Sequence, residues 1–488
     1  MAGDAASPGY WERGFVVAVL FLSTNALLPL LRLENSYESV VGLGTGDPVV
    51  QRTWLVVYGV TGVLVLRHHR LIRVALGGNA TLWGLVCLAI VSAGWSVAPA
   101  LTMRRSVALL GTTAFGLYLA ARYSRREVLT LLLTALGISA VLSLAFALVI
   151  PSWGVFNGWR GVYLHKNSLG RAMAFGVTLW LPLTIFNRRS SVVIPLFLSL
   201  SVGLLFLSNS KSSWAVCVAV VAWLPVLRLL RLHAGVVGAV LMGIGIVVPV
   251  GSVWLAGNAE AVFALFGRDA TLTGRTEVWW LSWQWITERP WLGYGYSAFW
   301  QGDTGPSGRL IAALGEVFSS AHQGVLDLWL DLGLAGVVLF ANSFLLNARR
   351  AYASLRREPG MDGTFPALFL IFLLMSNLTE SNILTQNSVL WIMYVVVSVQ
   401  LATMSVPDND TQGQVSARFS WQDRHGFRSA DPPRRGGPIH VNPQIVPVRR
   451  RQRSPGRGGT LARQSSFSRA VVDACALDRV DLTRRFSE

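Results

Sequence analysis

Residues 128–150 read VLTLLLTALGISAVLSLAFALVI, 23 positions without one charged side chain. A helix needs about 20 mostly apolar residues to cross the hydrocarbon of a bilayer. Arg125 and Arg126 stand just before the run. Comparable runs recur along the chain. Twelve can be read, centred near Leu22, Tyr58, Leu88, Phe115, Ile138, Val177, Leu198, Ala219, Met242, Leu334, Leu370 and Val395. No long alternating strands accompany them, which excludes a membrane β-barrel. The expected fold is an all-α polytopic membrane protein of about 12 transmembrane helices.

Composition points the same way. Hydrophobic residues make up 52% of the 488 positions, charged residues only 14%, and the mean hydropathy is +0.48. Soluble domains carry about 25% charged residues, so a single soluble globular domain, a coiled coil and a disulfide scaffold are all excluded. The net charge of +17 is almost entirely arginine, since Lys166 and Lys211 are the only lysines. Cys87, Cys217 and Cys475 show neither paired nor metal-ligand spacing, and read as packing or surface thiols.

Charge in the connections sets the expected orientation. One set of short loops holds Arg67, Arg70 and Arg73; Arg122, Arg125 and Arg126; Arg188 and Arg189; Arg228 and Arg231; and Arg349, Arg350, Arg356 and Arg357. Short, densely basic loops face the cytoplasm. The alternate loops are longer and mixed in sign, with Glu34, Glu38, Asp47, Glu260, Asp269, Glu277 and Glu288. The expected layout is a cytoplasmic N-terminus at 1–14, a polytopic membrane domain at 15–405 and a disordered, basic, cytoplasmic tail at 406–488. Within the membrane domain a large extracytoplasmic loop, 257–320, joins helices 9 and 10. The tail carries 15 arginines against 8 acidic residues and is rich in Pro and Gly, so it cannot bury a core. The basic excess of the loops marks a side facing the anionic cytoplasmic leaflet, not a nucleic-acid partner; the tail either touches that lipid or, as such tails more often do, stays solvated.

Polar groups at the outer ends of spans are the candidates for function. Gly158-Trp159-Arg160-Gly161 runs into His165-Lys166-Asn167 and Arg171 at the start of the sixth span. The glycines allow close backbone approach, and a helix N-terminus adds N–H groups and partial positive charge. The cluster suits a phosphate or pyrophosphate; its bland alternative is a charged turn. Thr273-Gly274-Arg275-Thr276 leads to Trp279, and an aromatic-rich helix is expected over about 276–287, ended by Glu288-Arg289-Pro290. Arg275 offers a two-pronged bond to an anion, while most of the aromatics read as headgroup anchors. Ser320-Ala321-His322-Gln323-Gly324 precedes the tenth span. An imidazole titrating near about 6.5 takes a proton from an attacking hydroxyl, although a lone His is more often structural. Trp95-Ser96 with Pro99, Arg104 and Arg105, and Ser208-Asn209-Ser210-Lys211, either bind an anion or cap helices. No phosphate loop and no His-Glu-x-x-His zinc pattern occurs, so no ATP, metal or other cofactor is expected, and the chemistry must draw on an already activated substrate.

Together these stretches resemble the O-antigen ligase and polymerase superfamily of bacterial membrane glycosyltransferases, and most nearly its exopolysaccharide-production polymerase branch. The likeness is carried by Gly158 to Asn167, Leu272 to Trp279, Glu288 to Trp300, and Ala321 to Asp327, and runs from about Leu82 to Met404. It departs at Gln323, where Asn is common, and at Lys211, where Arg is common. The resemblance implies inverting transfer of a glycan from an undecaprenyl-pyrophosphate carrier to a sugar hydroxyl, on a lipid A core in ligases or on another carrier-linked unit in polymerases. It implies His322 as the base, and Arg275 and Arg160 on the pyrophosphate. Lys166, His165, Asn167, Arg105, Lys211 and Trp279 fall in the same substrate-binding motifs. It further implies the bacterial inner membrane, an extracytoplasmic active site, and membrane lipids and other polysaccharide-assembly proteins as partners. A multi-span transporter or flippase of lipid-linked glycans is the rival reading. Polymerase and ligase share their chemistry and are not separated by these residues.

Overall fold

The computed structural model describes residues 8–27, 47–155, 158–186, 192–232, 275–302, 305–314 and 318–403. The expected span near Met242, the first part of the 257–320 loop and the basic tail lie outside the described residues. Among the described residues the protein is all-helical, with one isolated bridge between Val155 and Trp159. In chain order the helices are α1 (Tyr10–Leu22), α2 (Pro48–Arg67), α3 (His69–Leu76), α4 (Ala80–Val91), α5 (Pro99–Arg122), α6 (Arg125–Val149) and, after the single turn Pro151–Gly154, α7 (Lys166–Phe186). They continue as α8 (Val193–Leu207), α9 (Lys211–Leu232), α10 (Arg275–Glu288), α11 (Gly305–Leu314), α12 (Gly324–Arg357), α13 (Gly360–Ser376) and α14 (Val389–Thr403). Five of these, α2, α6, α7, α9 and α12, are long and apolar enough to cross a membrane. Helices α4, α8, α13 and α14 are apolar but shorter.

Local sequence starts these helices where they start. Asp47 accepts hydrogen bonds from the N–H groups of Val49 (2.8 Å) and Val50 (3.3 Å), with Pro48 at the first helical position of α2. Ser124 and Glu127 form a reciprocal capping box at the head of α6. Helix α14 is apolar and buried all round, so it forms the centre of the bundle, against α5 and α12. The few polar groups there are paired between helices: Asn347 donates to Ser398 Oγ (2.6 Å), Tyr394 to Ser343 Oγ (2.8 Å) and Trp391 to Thr113 Oγ1 (3.0 Å). Such interhelical bonds contribute about 0.6 kcal/mol each in a bilayer setting.

The bundle has two chemically distinct ends. At one, the C-termini of α2, α5, α9, α12 and α14 meet the N-termini of α1, α6 and α13. Arg13 pairs with Glu127 (3.2 Å), Arg122 with Glu12 (3.7 Å), and Arg125 with Glu358 (2.6 Å). Arg231 donates to the carbonyls of Leu355 and Glu358 (both 3.0 Å), Arg350 to that of Gly78 (2.8 Å), and Gln400 to that of Tyr123 (3.1 Å). The arginines of four of the five basic loops are thus gathered at one end, and Arg188 and Arg189 lie outside the described residues. The opposite end collects the N-termini of α5, α7, α9, α12 and α14, together with α10 and the segment after it.

Helix α12 is broken near that second end. Gly333 stands at φ 63°, ψ −166°, a conformation open essentially to glycine alone. The break frees backbone groups that a membrane interior would leave without partners. The segment Pro290–Gly295 supplies them. Leu334 and Ala335 donate to the carbonyls of Pro290 (2.7 Å) and Trp291 (3.1 Å). Tyr294 and Gly295 donate to those of Leu330 (2.8 Å) and Asp331 (2.9 Å). Proline at 290 ends α10 as expected, and the glycine- and aromatic-rich stretch behind it becomes a splint across the broken helix.

Candidate active site

The turn before α12 is the centre of the second end. His322 adopts φ 51°, a left-handed conformation that costs an L-residue about 1–2 kcal/mol. The turn is held from several directions. Ala321 donates its N–H to both carboxylate oxygens of Asp327 (3.0 and 3.1 Å), and its carbonyl accepts from Trp279 Nε1 (2.9 Å). Gln323 caps α12 by accepting from the Leu326 N–H (2.6 Å). His322 is one-third exposed, and its Nδ1 lies 3.4 Å from Glu380 Oε2. A proton on Nδ1 facing that carboxylate leaves Nε2 as the acceptor, the state a general base requires.

Glu380 sits in the connection between α13 and α14, and that connection is itself cross-braced. Asn377 donates its side-chain amide to the Leu373 carbonyl (2.7 Å), while its Oδ1 accepts the Asn382 N–H (2.8 Å) and its carbonyl accepts the Gly324 N–H (2.9 Å). Arg171 donates to Asn382 Oδ1 (2.8 Å). Arg171, Ser212, Ser213, Thr379 and Glu380 face a small cavity of about 10 Å³, a space for roughly one water. The imidazole, the carboxylate and one guanidinium therefore share one corner, built from the starts of α7, α9 and α12 and the end of α13.

The basic motif near 160 belongs to the same end. Tyr163 is fully buried and shares hydrogen bonds with Thr24 (3.1 Å) and Ser139, which pins the segment into the bundle. Burial also raises the Tyr163 hydroxyl above its ordinary pKa. Gly158 has φ 111°, and a Cβ there would stand 2.7 Å from the Ser208 carbonyl oxygen and 3.2 Å from Lys166 Cδ. The glycine thus lets three expected motifs close on one another: 158–161, 165–167 and 208–211. Arg160 stacks on the Trp153 ring at 4.6 Å and donates to the Trp153 carbonyl, and burial pushes its guanidinium below the ordinary range. Lys166 opens α7 and Lys211 opens α9, so both ammonium groups stand at helix N-termini at this end. His165 is exposed and Asn167 half-buried beside them.

Two expected residues read differently in three dimensions. Arg105 reaches the segment behind α10, where it donates to Ser297 Oγ (3.0 Å) and to the Ser297 carbonyl. Trp279 spends its indole N–H on the His322 turn, as a brace. Arg275 opens α10, but its side chain lies outside the described residues. Sequence reading did not single out Glu380, Asn377 or Asn382. A polar patch, Asn377 to Asn382, between two apolar runs on the side away from the basic loops was the signal available.

Comparison with known proteins matches this part of the chain. A family model described as O-antigen ligase covers residues 194–341, which include α8, α9, α10, the His322 turn and the Gly333 break. The exopolysaccharide production protein ExoQ of Rhizobium meliloti (strain 1021) is 24% identical over 310 residues, spanning 58% of this chain and 68% of that protein. These two likenesses support placing the chain in the O-antigen ligase/polymerase superfamily.

Proposed function

We propose that the protein is an inverting membrane glycosyltransferase that moves a glycan from an undecaprenyl-pyrophosphate carrier to a hydroxyl of an acceptor sugar. The observation that carries this reading is the His322–Glu380 pair, 3.4 Å apart in a braced left-handed turn, at the bundle end where Arg160, Lys166, Arg171 and Lys211 also gather. His322 takes the proton from the acceptor hydroxyl as its oxygen attacks the anomeric carbon. The bond from that carbon to the phosphate oxygen breaks on the opposite face, and the sugar passes through an oxocarbenium-like state. Negative charge grows on the departing pyrophosphate, where fixed cations stabilise the transition state more than the ground state. Arg160, Arg275, Lys166 and Lys211 are assigned to that charge, with His165 and Asn167 beside them. Glu380 stabilises the imidazolium while it holds the proton.

The two ends support a bilayer frame for this reading. The arginine-rich end faces the cytoplasm and the His322 end faces outward, in a bundle of about 12 spans of the bacterial inner membrane. The donor then lies with its lipid tail against the bundle and its sugar at the outer boundary. The likeness to the O-antigen ligase family model favours glycan transfer over transport. So does the Gly333 break: a transporter leaves broken-helix backbone open to its cargo, whereas here Pro290–Gly295 occupies it.

The test is transfer in membranes carrying His322→Ala, supplied with carrier-linked glycan and acceptor and read as product size on gels. Removal of a general base lowers turnover by about 100-fold or more. Wild-type turnover in the variant removes His322 from the chemistry and the reading with it.

A further inference from the structure

We infer that Asp327 is a positioning residue of this reaction: its carboxylate clamps together the turn that carries His322 and the loop that carries Glu380. Asp327 sits in the first turn of α12. It accepts from Trp300 Nε1 (2.7 Å) and the Ala321 N–H (3.0 Å) at Oδ1, and from Ala321 (3.1 Å) and the Ser381 hydroxyl at Oδ2. The donors come from three separate stretches of chain. Ala321 is the residue before His322, and Ser381 is the residue after Glu380. One carboxylate therefore fixes the neighbours of both members of the pair, and through Trp300 ties them to the chain that follows the splint of α12.

The chemistry of the clamp is specific to a carboxylate. Its partners are all donors: one backbone N–H, one indole N–H and one hydroxyl. An ionised carboxylate has acceptor sites enough for all of them. An amide of the same shape puts an N–H₂ at one of the two oxygen positions, so the Ala321 N–H loses one of its two bonds and the Ser381 hydroxyl must turn round to accept, with no charged acceptor left in the clamp. The strained His322 backbone then has less to hold it, and the ring drifts from Glu380. Reacting groups are sensitive to such drift, since a displacement of about 1 Å costs about 100-fold in rate.

The inference rests on the role proposed for His322, and its test keeps the two apart. Full-length Asp327→Asn protein is assayed for transfer. In parallel, carbethoxylation of His322 by diethyl pyrocarbonate is followed by peptide mass spectrometry, which needs no substrate. The expected result is a kcat about 100-fold lower with donor KM within about twofold of wild type, and faster carbethoxylation of the released ring. Unchanged kcat with unchanged His322 reactivity overturns the clamp, as does a loss confined to KM. If Asp327→Asn fails to accumulate, Ser381→Ala removes a single bond and must move both readouts the same way by a smaller factor; no movement in either overturns the inference. Full activity in His322→Ala sinks the proposed function, whereas the carbethoxylation rate still reports on Asp327.

Discussion

The break in α12 invites the sharpest perturbation. At Gly333 a Cβ would fall 2.2 Å from the Trp291 carbonyl carbon and 2.3 Å from both the Leu292 nitrogen and the Trp291 oxygen. All of these are backbone atoms and cannot rotate away. The backbone conformation itself costs a residue other than glycine about 1–3 kcal/mol. Relief of the clash must push Pro290–Gly295 off the helix, which endangers four backbone hydrogen bonds of 2.7–3.1 Å. At about 1 kcal/mol net for each bond, Gly333→Ala loses about 5–7 kcal/mol. The assay is thermal denaturation in detergent, followed by the fraction of monodisperse protein after heating. The expected drop in apparent midpoint is at least about 5 °C, with loss of transfer activity because the chain runs on from this segment to Trp300, whose indole N–H holds Asp327, the carboxylate bonded to the His322 turn. Gly203→Ala is the control. It lies in α8 with nothing within 4 Å of its would-be Cβ, and should leave stability unchanged or raised by about 0.5–1 kcal/mol. A Gly333→Ala protein with the wild-type midpoint refutes the splint.

Three further outcomes follow from particular contacts. Glu380→Gln removes the charge facing His322 Nδ1 and should lower kcat by about 10-fold or more with little change in KM, because the imidazolium forms only during reaction; initial-rate kinetics decide it. Gly158→Ala meets the Ser208 carbonyl at 2.7 Å in a left-handed conformation and should cost about 1–3 kcal/mol, seen as a lower thermal midpoint or as weaker donor binding. At the basic end, burial first and Arg122 second depress the pKa of His68 below 6.5, against the pull of Glu12. The folded protein therefore binds this proton less readily than the unfolded chain. The contribution of His68 is complete above pH 6.5 and is lost as pH falls below it, so the acid-side fall of the midpoint should flatten in His68→Gln.

Much of this molecule is written locally, and the exceptions are the tertiary pairings. Eleven of the twelve expected span centres lie in helices, and the twelfth, near Met242, is outside the described residues. That follows from physics acting within one segment, since a run such as 128–150 has few alternatives in a bilayer. The loops bearing Arg67, Arg122, Arg228 and Arg349 were expected on one side, and Arg122, Arg125, Arg231 and Arg350 do form one connected end. The stop at Pro290 was equally local. The role of Pro290–Gly295 was not, because nothing in its composition says that its backbone will satisfy residues 330–335. Glu380 lies 58 positions from His322, and no periodicity connects them. Arg105 read as an anion ligand or a helix cap; its bond to Ser297 is a tertiary pairing that becomes visible only once the chain is folded.

The account stands on the two ends being opposite faces of the membrane, with His322 at the outer one. In a background with Cys87, Cys217 and Cys475 replaced by Ser, His165→Cys marks the site end and His69→Cys the basic end, both at exposed positions. Intact cells are treated with a membrane-impermeant maleimide, and labelling is compared before and after permeabilisation. The account predicts that His165→Cys labels in intact cells and His69→Cys only after permeabilisation. The reverse pattern, or equal labelling of both from outside, contradicts it.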